Sequence, residues 1–198
     1  MRVIAGTFGG RRLVTPAGEG CRPAMGRTRE ALFSMLEARG ADMAAARVLD
    51  IFAGSGSLAF EALSRGAPEA WLVENAQPSL RCIEANVAAL GVEARTRVIR
   101  EDALRFLRRR PDAPFDLVFL DPPYRKALAL PALTALASGA WLAGGALVAA
   151  EVEEGLAPAP VPGLSPLAER RFGQTVIHIW RADGAFDAAP RAAPESRT

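Results

Sequence analysis

The chain has 198 residues, of which 50% are hydrophobic and 23% charged, with a formal net charge of +2. This balance is typical of a single globular domain with a substantial core and argues against a disordered chain. No uncharged apolar run of about 18 residues occurs, and the N-terminus lacks the apolar stretch of a secretory signal, so we expect a cytoplasmic protein without membrane spans.

Positive charge is concentrated in the first 30 residues, where six arginines accompany only two glutamates. A basic segment on a near-neutral body is typical of a surface that binds phosphate, although a merely solvated surface is the alternative. Residues 1–25 also contain two short apolar runs around Gly9-Gly10, which predicts a β-rich extension. The candidate phosphate contacts are Arg2, Arg11, Arg12, Arg22, Arg27 and Arg29.

From Thr28 onward, helices and strands alternate, and two final strands flank Gly173 as an antiparallel hairpin. Apolar strands that alternate with helices indicate parallel β-α-β units in a sheet covered on both faces. Residues 26–183 are therefore predicted as one α/β domain and 184–198 as a disordered tail. The predicted strands are 48–52, 70–74, 97–100, 115–120, 146–152, 167–172 and 175–181, and the helices after the first are 57–65, 78–90, 103–110 and 127–138.

Metal ligands are scarce in this sequence. It has one histidine, and its two cysteines lack the spacing of a zinc site, so we expect no metal. The histidine, His178, alternates with Val176 and Trp180 in a strand-like run, which favours a structural or surface role.

The first strand leads into a glycine-rich loop, Asp50-Ile-Phe-Ala-Gly-Ser-Gly56. Its glycines let the chain turn sharply into a helix and let a ligand approach the backbone. Glu74 ends the next strand, 20 residues after Gly54, where its carboxylate can accept hydrogen bonds from both ribose hydroxyls of an adenosine. The same spacing also satisfies the fingerprint of dinucleotide-binding dehydrogenases, which is the competing interpretation.

Asp50 favours one of these two ligands. A carboxylate at the strand tip disfavours a pyrophosphate but suits the ammonium and sulfonium groups of S-adenosylmethionine, which is therefore the predicted cofactor. Asp102 follows the third strand, where it can accept from an adenine amino group or cap the next helix. The candidate cofactor-binding residues are Asp50, Phe52, Ala53, Gly54, Ser55, Gly56, Glu74, Asp102 and Ala103.

The four residues Asp121-Pro122-Pro123-Tyr124 directly follow the apolar fourth strand, at the edge where open α/β sheets bind ligands. The two prolines fix the turn and leave no backbone donors, so carbonyl oxygens point into the site. Asp121 and the Pro122 carbonyl can each accept an N–H of an exocyclic amine and direct its lone pair at the methyl group, while Tyr124 stacks on the base. The motif predicts methyl transfer to a nucleobase amine; a rigid turn without a catalytic role is the alternative.

Together, these motifs resemble the ribosomal small subunit methyltransferase D family, the guanine-N2 methyltransferases of bacterial 16S ribosomal RNA. The similarity extends from residue 2 to about residue 182, and its most discriminating part is Arg22-Pro-Ala-Met-Gly-Arg-Thr-Arg-Glu-Ala-Leu-Phe. The resemblance implies a Rossmann-like class I methyltransferase with a seven-stranded, mostly parallel sheet and S-adenosylmethionine as the donor. The acceptor it implies is a guanine of 16S ribosomal RNA in the small subunit or its assembly intermediate. It also implies that the segment from Arg22 to Arg29 borders the methionine end of the cofactor and the RNA entrance.

The sequence departs from the family pattern at Ala24, usually threonine, and at Ser34, usually asparagine. Other functions share part of the pattern. A DNA adenine-N6 or cytosine-N4 methyltransferase has the same turn, but this chain has no room for a separate DNA-recognition domain. A protein-glutamine methyltransferase normally carries Asn at the position of Asp121, and a non-catalytic RNA-binding module would not need Asp50 and Glu74. We therefore predict a monomeric RNA methyltransferase in which the basic residues contact RNA.

Overall fold

A computed structural model describes residues 1–16, 23–123, 127–153, 160–173 and 175–184 of the chain. No helix in these ranges is both long and apolar enough to cross a bilayer. The strands are β1 Arg47–Ile51, β2 Glu69–Glu74, β3 Thr96–Arg100, β4 Phe115–Leu120, β5 Leu142–Glu153, β6 Leu164–Phe172 and β7 Thr175–Ala182. The helices are α1 Pro23–Glu37, α2 Ser57–Ser64, α3 Gln77–Leu90, α4 Ala103–Leu107 and α5 Ala129–Ser138, with a short 3-10 turn at Glu93–Arg95.

The strands form one seven-stranded sheet in the order β3-β2-β1-β4-β5-β7-β6. The first five strands of that order pair in parallel, so their carboxyl ends share one edge of the sheet. β7 runs antiparallel to both β5 and β6, which forms the hairpin at the other end of the order. The predicted mostly parallel sheet with a C-terminal antiparallel hairpin is thus confirmed. Its direction of winding switches between β1 and β4, where open α/β sheets bind their ligands.

Helices cover the two faces of the sheet with separate apolar layers. On one face, α1, α2 and α3 pack on alternate strand residues such as Leu117 and Phe119 of β4. On the other face, α4 and α5 pack on the intervening residues, such as Val118 and Leu120. Because side chains alternate along a strand, the central strands contribute to both layers, and this explains why they read as continuous apolar runs.

Several element boundaries differ from those predicted. Helix α1 begins at Pro23 rather than Thr28, since proline suits a first turn while Gly26, a weak helix former, obscures that turn in the periodicity. Strand β5 begins at Leu142 rather than residue 146, because the pairing with β4 shifts register across the Gly144-Gly145 pair. Helix α4 ends at Leu107, before the predicted residue 110. The predicted tail from residue 185 onward lies outside the described residues.

Residues 1–16, called here the N-terminal arm, are held to the domain by a buried carboxylate. The predicted β-rich extension amounts to one isolated bridge between Arg2 and Arg12 in this segment. Glu61 of α2 is fully buried and accepts the backbone N–H groups of Ile4 and Ala5 at 2.7 and 3.0 Å. Because an uncompensated buried carboxylate is strongly unfavourable, these partners fix the arm against α2.

Candidate active site

The glycine-rich loop connects β1 to α2 through residues with positive φ. Phe52, Gly54 and Gly56 have φ angles of 62°, 55° and 79°. A β-carbon at Gly56 would lie 2.5 Å from the ring of Phe60 and 2.7 Å from Leu72, so glycine is required by space as well as by conformation. The loop backbone therefore packs directly against β2 and the start of α2.

Asp50, at the end of β1, lies beneath this loop. Its side chain is 1% exposed, and its Oδ2 accepts the N–H of Ala59 in the first turn of α2 at 3.1 Å. Burial raises the pKa of Asp50 to about 8; the Ala59 hydrogen bond acts against this increase, and the charge of Glu74 adds to it. A carboxyl group in this state is largely neutral at pH 7, and a cation placed beside it would favour its ionised form.

The carboxylate of Glu74 accepts three backbone N–H groups. Its Oε2 accepts from Gly54, and its Oε1 accepts from Asn75 and Ala76, each at 2.8 Å. Glu74 therefore also holds the glycine loop onto the end of β2, and its role as an acceptor of ribose hydroxyls stays a prediction. A carboxylate has about four lone-pair directions, so one on Oε2 remains for a ligand hydroxyl.

A cleft with an interior volume of about 100 Å³ opens at this edge of the sheet. It brings together five of the predicted site residues. Asp102 accepts the N–H of Arg105 at 2.9 Å, so the helix-cap interpretation of this residue is confirmed. Glu101, which was not predicted, lines the cleft and pairs with Arg105 and Arg109. The lining consists of Phe52, Val73, Glu74, Asn75, Glu101, Asp102, Ala103, Pro123 and Leu128.

The Asp121-Pro-Pro turn continues β4 at the switch between β4 and β1. The backbone N–H of Asp121 donates to the carbonyl of Ile51 at 3.3 Å, and a residue before proline is restricted to extended backbone. The Asp121 side chain is exposed, Pro122 is buried, and Pro123 lines the cleft. Tyr124, the fourth residue of the predicted motif, lies outside the described residues.

A second, much smaller recess, with an interior volume of about 10 Å³, lies on the α1 and α2 side of the sheet, next to the end of β4. Its half-buried acidic residue, Glu151, was missed in the sequence. Only the strand register could have indicated it: Leu120 pairs with Ala150, so Asp121 and Glu151 are the residues that follow this pair. The lining consists of Leu32, Leu58, Leu120, Ala149, Ala150, Glu151 and Ile177.

The predicted phosphate contacts divide into exposed and buried residues. Arg2, Arg11, Arg12 and Arg27 are exposed, as a phosphate-binding role requires, whereas Arg22 lies outside the described residues. Arg29 is 6% exposed; its guanidinium donates to the carbonyl of Arg2 and lies 3.8 Å from Glu61. The prediction for Arg29 is therefore corrected from a phosphate contact to an internal bond between α1 and the arm.

Comparisons with known proteins place the chain in a family. Residues 1–181 match the family model described as "Conserved hypothetical protein 95". The chain is 38% identical, over 192 residues, to "Ribosomal RNA small subunit methyltransferase D" of Escherichia coli K12, covering 95% of this chain and 94% of that protein. The protein of the same name from Haemophilus influenzae is 38% identical over 156 residues, or 78% of this chain and 79% of that protein. The chain belongs to the ribosomal RNA small subunit methyltransferase D family.

The fold of this chain is similar to that of a solved structure, as expected for a member of the methyltransferase D family. The structure described as "Putative methyltransferase yhhF from Escherichia coli" superposes with a TM-score of 0.82 at 35% identity, covering 92% of this chain and 98% of that chain. The Rossmann-like methyltransferase fold is thus confirmed. The family match begins at residue 1, so it includes the N-terminal arm as well as the sheet.

Proposed function

We propose that this member of the methyltransferase D family transfers a methyl group from S-adenosylmethionine to the exocyclic N2 amine of a guanine in 16S ribosomal RNA. The observation that carries the proposal is the position of the Asp121-Pro-Pro turn between two cavities. Pro123 lines the cleft on one side, and Leu120 lines the smaller recess on the other. A donor in the cleft and an acceptor base at the mouth of the recess would meet near Asp121.

The chemistry of the cleft fits the proposed cofactor better than a dinucleotide. Its acidic residues are Glu74, Glu101 and Asp102, and buried Asp50 lies under the adjoining loop. Carboxylates accept from ribose hydroxyls and an amino group and attract a cation, whereas they repel a pyrophosphate. S-adenosylmethionine supplies an electrophilic methyl group on a positively charged sulfur. Glu74 would hold the ribose, and Asp50 would be the nearest acid for the ammonium group.

The turn prepares the acceptor amine. The Asp121 carboxylate and the Pro122 carbonyl each accept one N–H, so the nitrogen becomes pyramidal and its lone pair points toward the cleft. Bound S-adenosylmethionine would supply the methyl group, and the acceptor nitrogen, strongly acidic once methylated, would lose one proton. The exposed carboxylate of Asp121 takes that proton and passes it to water. Because the leaving group is already activated, most of the acceleration comes from positioning.

Two carboxylates on one face support guanine as the acceptor base. Leu120 and Ala150 both pack in the α4 and α5 layer, so alternation directs the next residues, Asp121 and Glu151, to the opposite face. Neighbouring strands lie about 4.8 Å apart, which places these two acids side by side. Guanine presents two adjacent donors, N2–H and N1–H, to such a pair. Adenine and cytosine present an acceptor nitrogen beside their amine, which a second carboxylate repels.

Ribosomal RNA as the substrate is supported by the names of the relatives and by the exposed arginines of the arm. Flipping a guanine out of its stack costs a few kcal/mol, least in loops, and phosphate contacts at the arm can offset it. We take the small subunit or its assembly intermediate as the substrate and the monomer as the active form.

The test is methyl transfer from labelled donor to small subunits that lack the modification, followed by mapping of the methylated nucleotide. We expect label on guanine N2, loss of transfer in Asp121→Ala with cofactor binding retained, and a large drop in kcat/KM in Glu151→Gln. Glu93→Gln, an exposed acid before the amino end of β3, is the matched control and should transfer normally. Label in DNA instead of RNA would replace this proposal with a DNA amine methyltransferase, and RNA binding without any transfer would indicate a non-catalytic module.

A further inference from the structure

Asn86, in the middle of α3, is fully buried and joins two distant segments of the chain. Its Nδ2 donates to the carbonyl of Ser55 in the glycine-rich loop at 3.0 Å and to the carbonyl of Val14 in the N-terminal arm at 2.9 Å. Its Oδ1 accepts the N–H of Val14 at 2.7 Å. A buried amide is unfavourable unless its polar atoms are paired, and here one side chain satisfies the backbone of both segments.

On the loop side, Asn86 determines the orientation of one peptide plane. The Ser55 carbonyl and the Gly56 N–H belong to the same planar peptide unit. Asn86 holds the carbonyl end, and the Gly56 N–H donates to the carbonyl of Ala53 at 2.7 Å. The plane is therefore fixed at both ends, and it lies between two glycines whose positive φ angles make the loop easy to deform.

On the arm side, Asn86 pairs with the whole backbone of Val14, both its N–H and its carbonyl. The Val14 side chain is 51% exposed, so packing contributes little to holding this residue. Arg11 and Arg12, two of the exposed candidate phosphate contacts, precede Val14 by only a few residues. The side chain of Asn86 thus directly links the arm, close to its basic residues, to the loop of the proposed cofactor site.

We propose that Asn86 is a positioning residue that couples the N-terminal arm to the cofactor loop. Ordering the loop with a ligand stabilises the arm at Val14, and loosening the arm at Asn86 weakens ligand binding at the loop. By thermodynamic linkage, RNA contacts at Arg11 and Arg12 then change cofactor affinity by the same factor as cofactor changes RNA affinity. This inference rests on the proposed function in taking the loop as the cofactor site and the arm arginines as RNA contacts.

Hydrogen exchange on the full chain tests the coupling, with S-adenosylhomocysteine as the probe. We expect the probe to slow exchange of the Val14 amide in the wild-type protein as well as the amides of the loop. In Asn86→Ala, the probe should protect the loop but not Val14, and its Kd should rise about tenfold, as expected for one lost hydrogen bond. In turnover assays, the KM for the cofactor should rise with little change in kcat.

Ser64→Ala is the matched control. Ser64 also anchors the arm, since its Oγ accepts the N–H of Phe8 at 2.9 Å and donates to the carbonyl of Ala5, but none of its described contacts is with the loop. This variant should lose stability while its Kd stays within about twofold of wild type.

The wild-type exchange measurement decides the question even if Asn86→Ala folds poorly. Probe binding that protects the loop while Val14 exchanges at its original rate would overturn the coupling. An equal rise of Kd in Ser64→Ala would overturn it too, because general loosening of the arm would then explain the effect. Absence of probe binding to the wild-type chain would instead refute the cofactor site itself.

Discussion

Replacing Asp50 by asparagine isolates the effect of its buried carboxyl group on folding. The amide oxygen of Asn can still accept the Ala59 N–H, so the loop keeps that contact. The pKa of Asp50 is about 8 in the folded chain and 3.8 when the group is unperturbed. Because the pKa is higher in the folded chain, the stabilisation contributed by this group is fully present below about pH 4. It is lost as the pH rises through 8.

The size of the effect follows from proton linkage. Between about pH 5 and 8, the folded wild-type chain holds one proton more than the unfolded chain. Its free energy of unfolding therefore falls by about 1.4 kcal/mol for each unit of pH increase. Partial ionisation of Asp50 near pH 8 makes the total loss smaller than two full pH units would give. From pH 6 to 8, the free energy of unfolding of the wild type should therefore fall by about 2 kcal/mol relative to that of Asp50→Asn. The side chain is only 1% exposed, so solvent screening does not reduce this figure greatly.

Urea unfolding of both proteins without cofactor at pH 6, 7 and 8 measures this difference directly. All other titrating groups are common to the two proteins and cancel in the comparison. Two stability curves that remain parallel over this range would show that Asp50 is already ionised in the folded chain. The argument from burial would then fail, and with it the expectation that the site gains from a cation.

The remaining predictions concern the ligand, the arm and the buried carboxylate that holds it. Affinity for S-adenosylhomocysteine should increase from pH 6 to 7.5 as Asp50 ionises, and calorimetric titration of Asp50→Asn should show no such increase. Exchanging both Arg11 and Arg12 for Gln should raise the KM for RNA and reduce the slope of log K against log salt concentration by about 1 to 2. The control variant Arg110→Gln should leave both quantities unchanged. An unchanged slope in the double variant would exclude contacts between the arm and phosphate. Glu61→Ala should lower the unfolding free energy by about 3–5 kcal/mol in urea melts, and a loss below about 1 kcal/mol would show that this carboxylate does not hold the arm.

The sheet could be predicted because its signals are local. Strand and helix periods, the glycines of the loop, and the turn at Asp121 are each visible within a short window of sequence. The features that were missed depend on contacts between remote segments. Glu61 and Asn86 appear in sequence as ordinary polar residues of amphipathic helices, and only the folded arm shows what they bind. In the sequence, Arg29 cannot be distinguished from the other arginines of its segment, and only the structure shows that it lies on the buried side of α1.

Glu151 illustrates a different limit of sequence reasoning. A single acid near the end of an apolar strand has no motif around it, and its relevance comes from the residue beside it on the neighbouring strand. That relation follows from the pairing of Leu120 with Ala150, which requires the register of two strands separated by a helix. The start of α1 was missed for a local reason, since Gly26 weakens the helical pattern of its first turn.

The acids around the cleft also restrict how a polyanion can approach this protein. A sugar-phosphate chain entering the cleft would meet Glu74 and Asp102 at close range, since Glu101 is paired with Arg105 and Arg109, whereas the arm offers exposed arginines. If the chain acts on RNA as proposed, the RNA backbone would lie along the outside of the domain, and an uncharged base would reach inward toward Asp121. The charge pattern would then separate the two parts of a nucleotide, with the backbone outside and the base inside, before any base-specific contact forms.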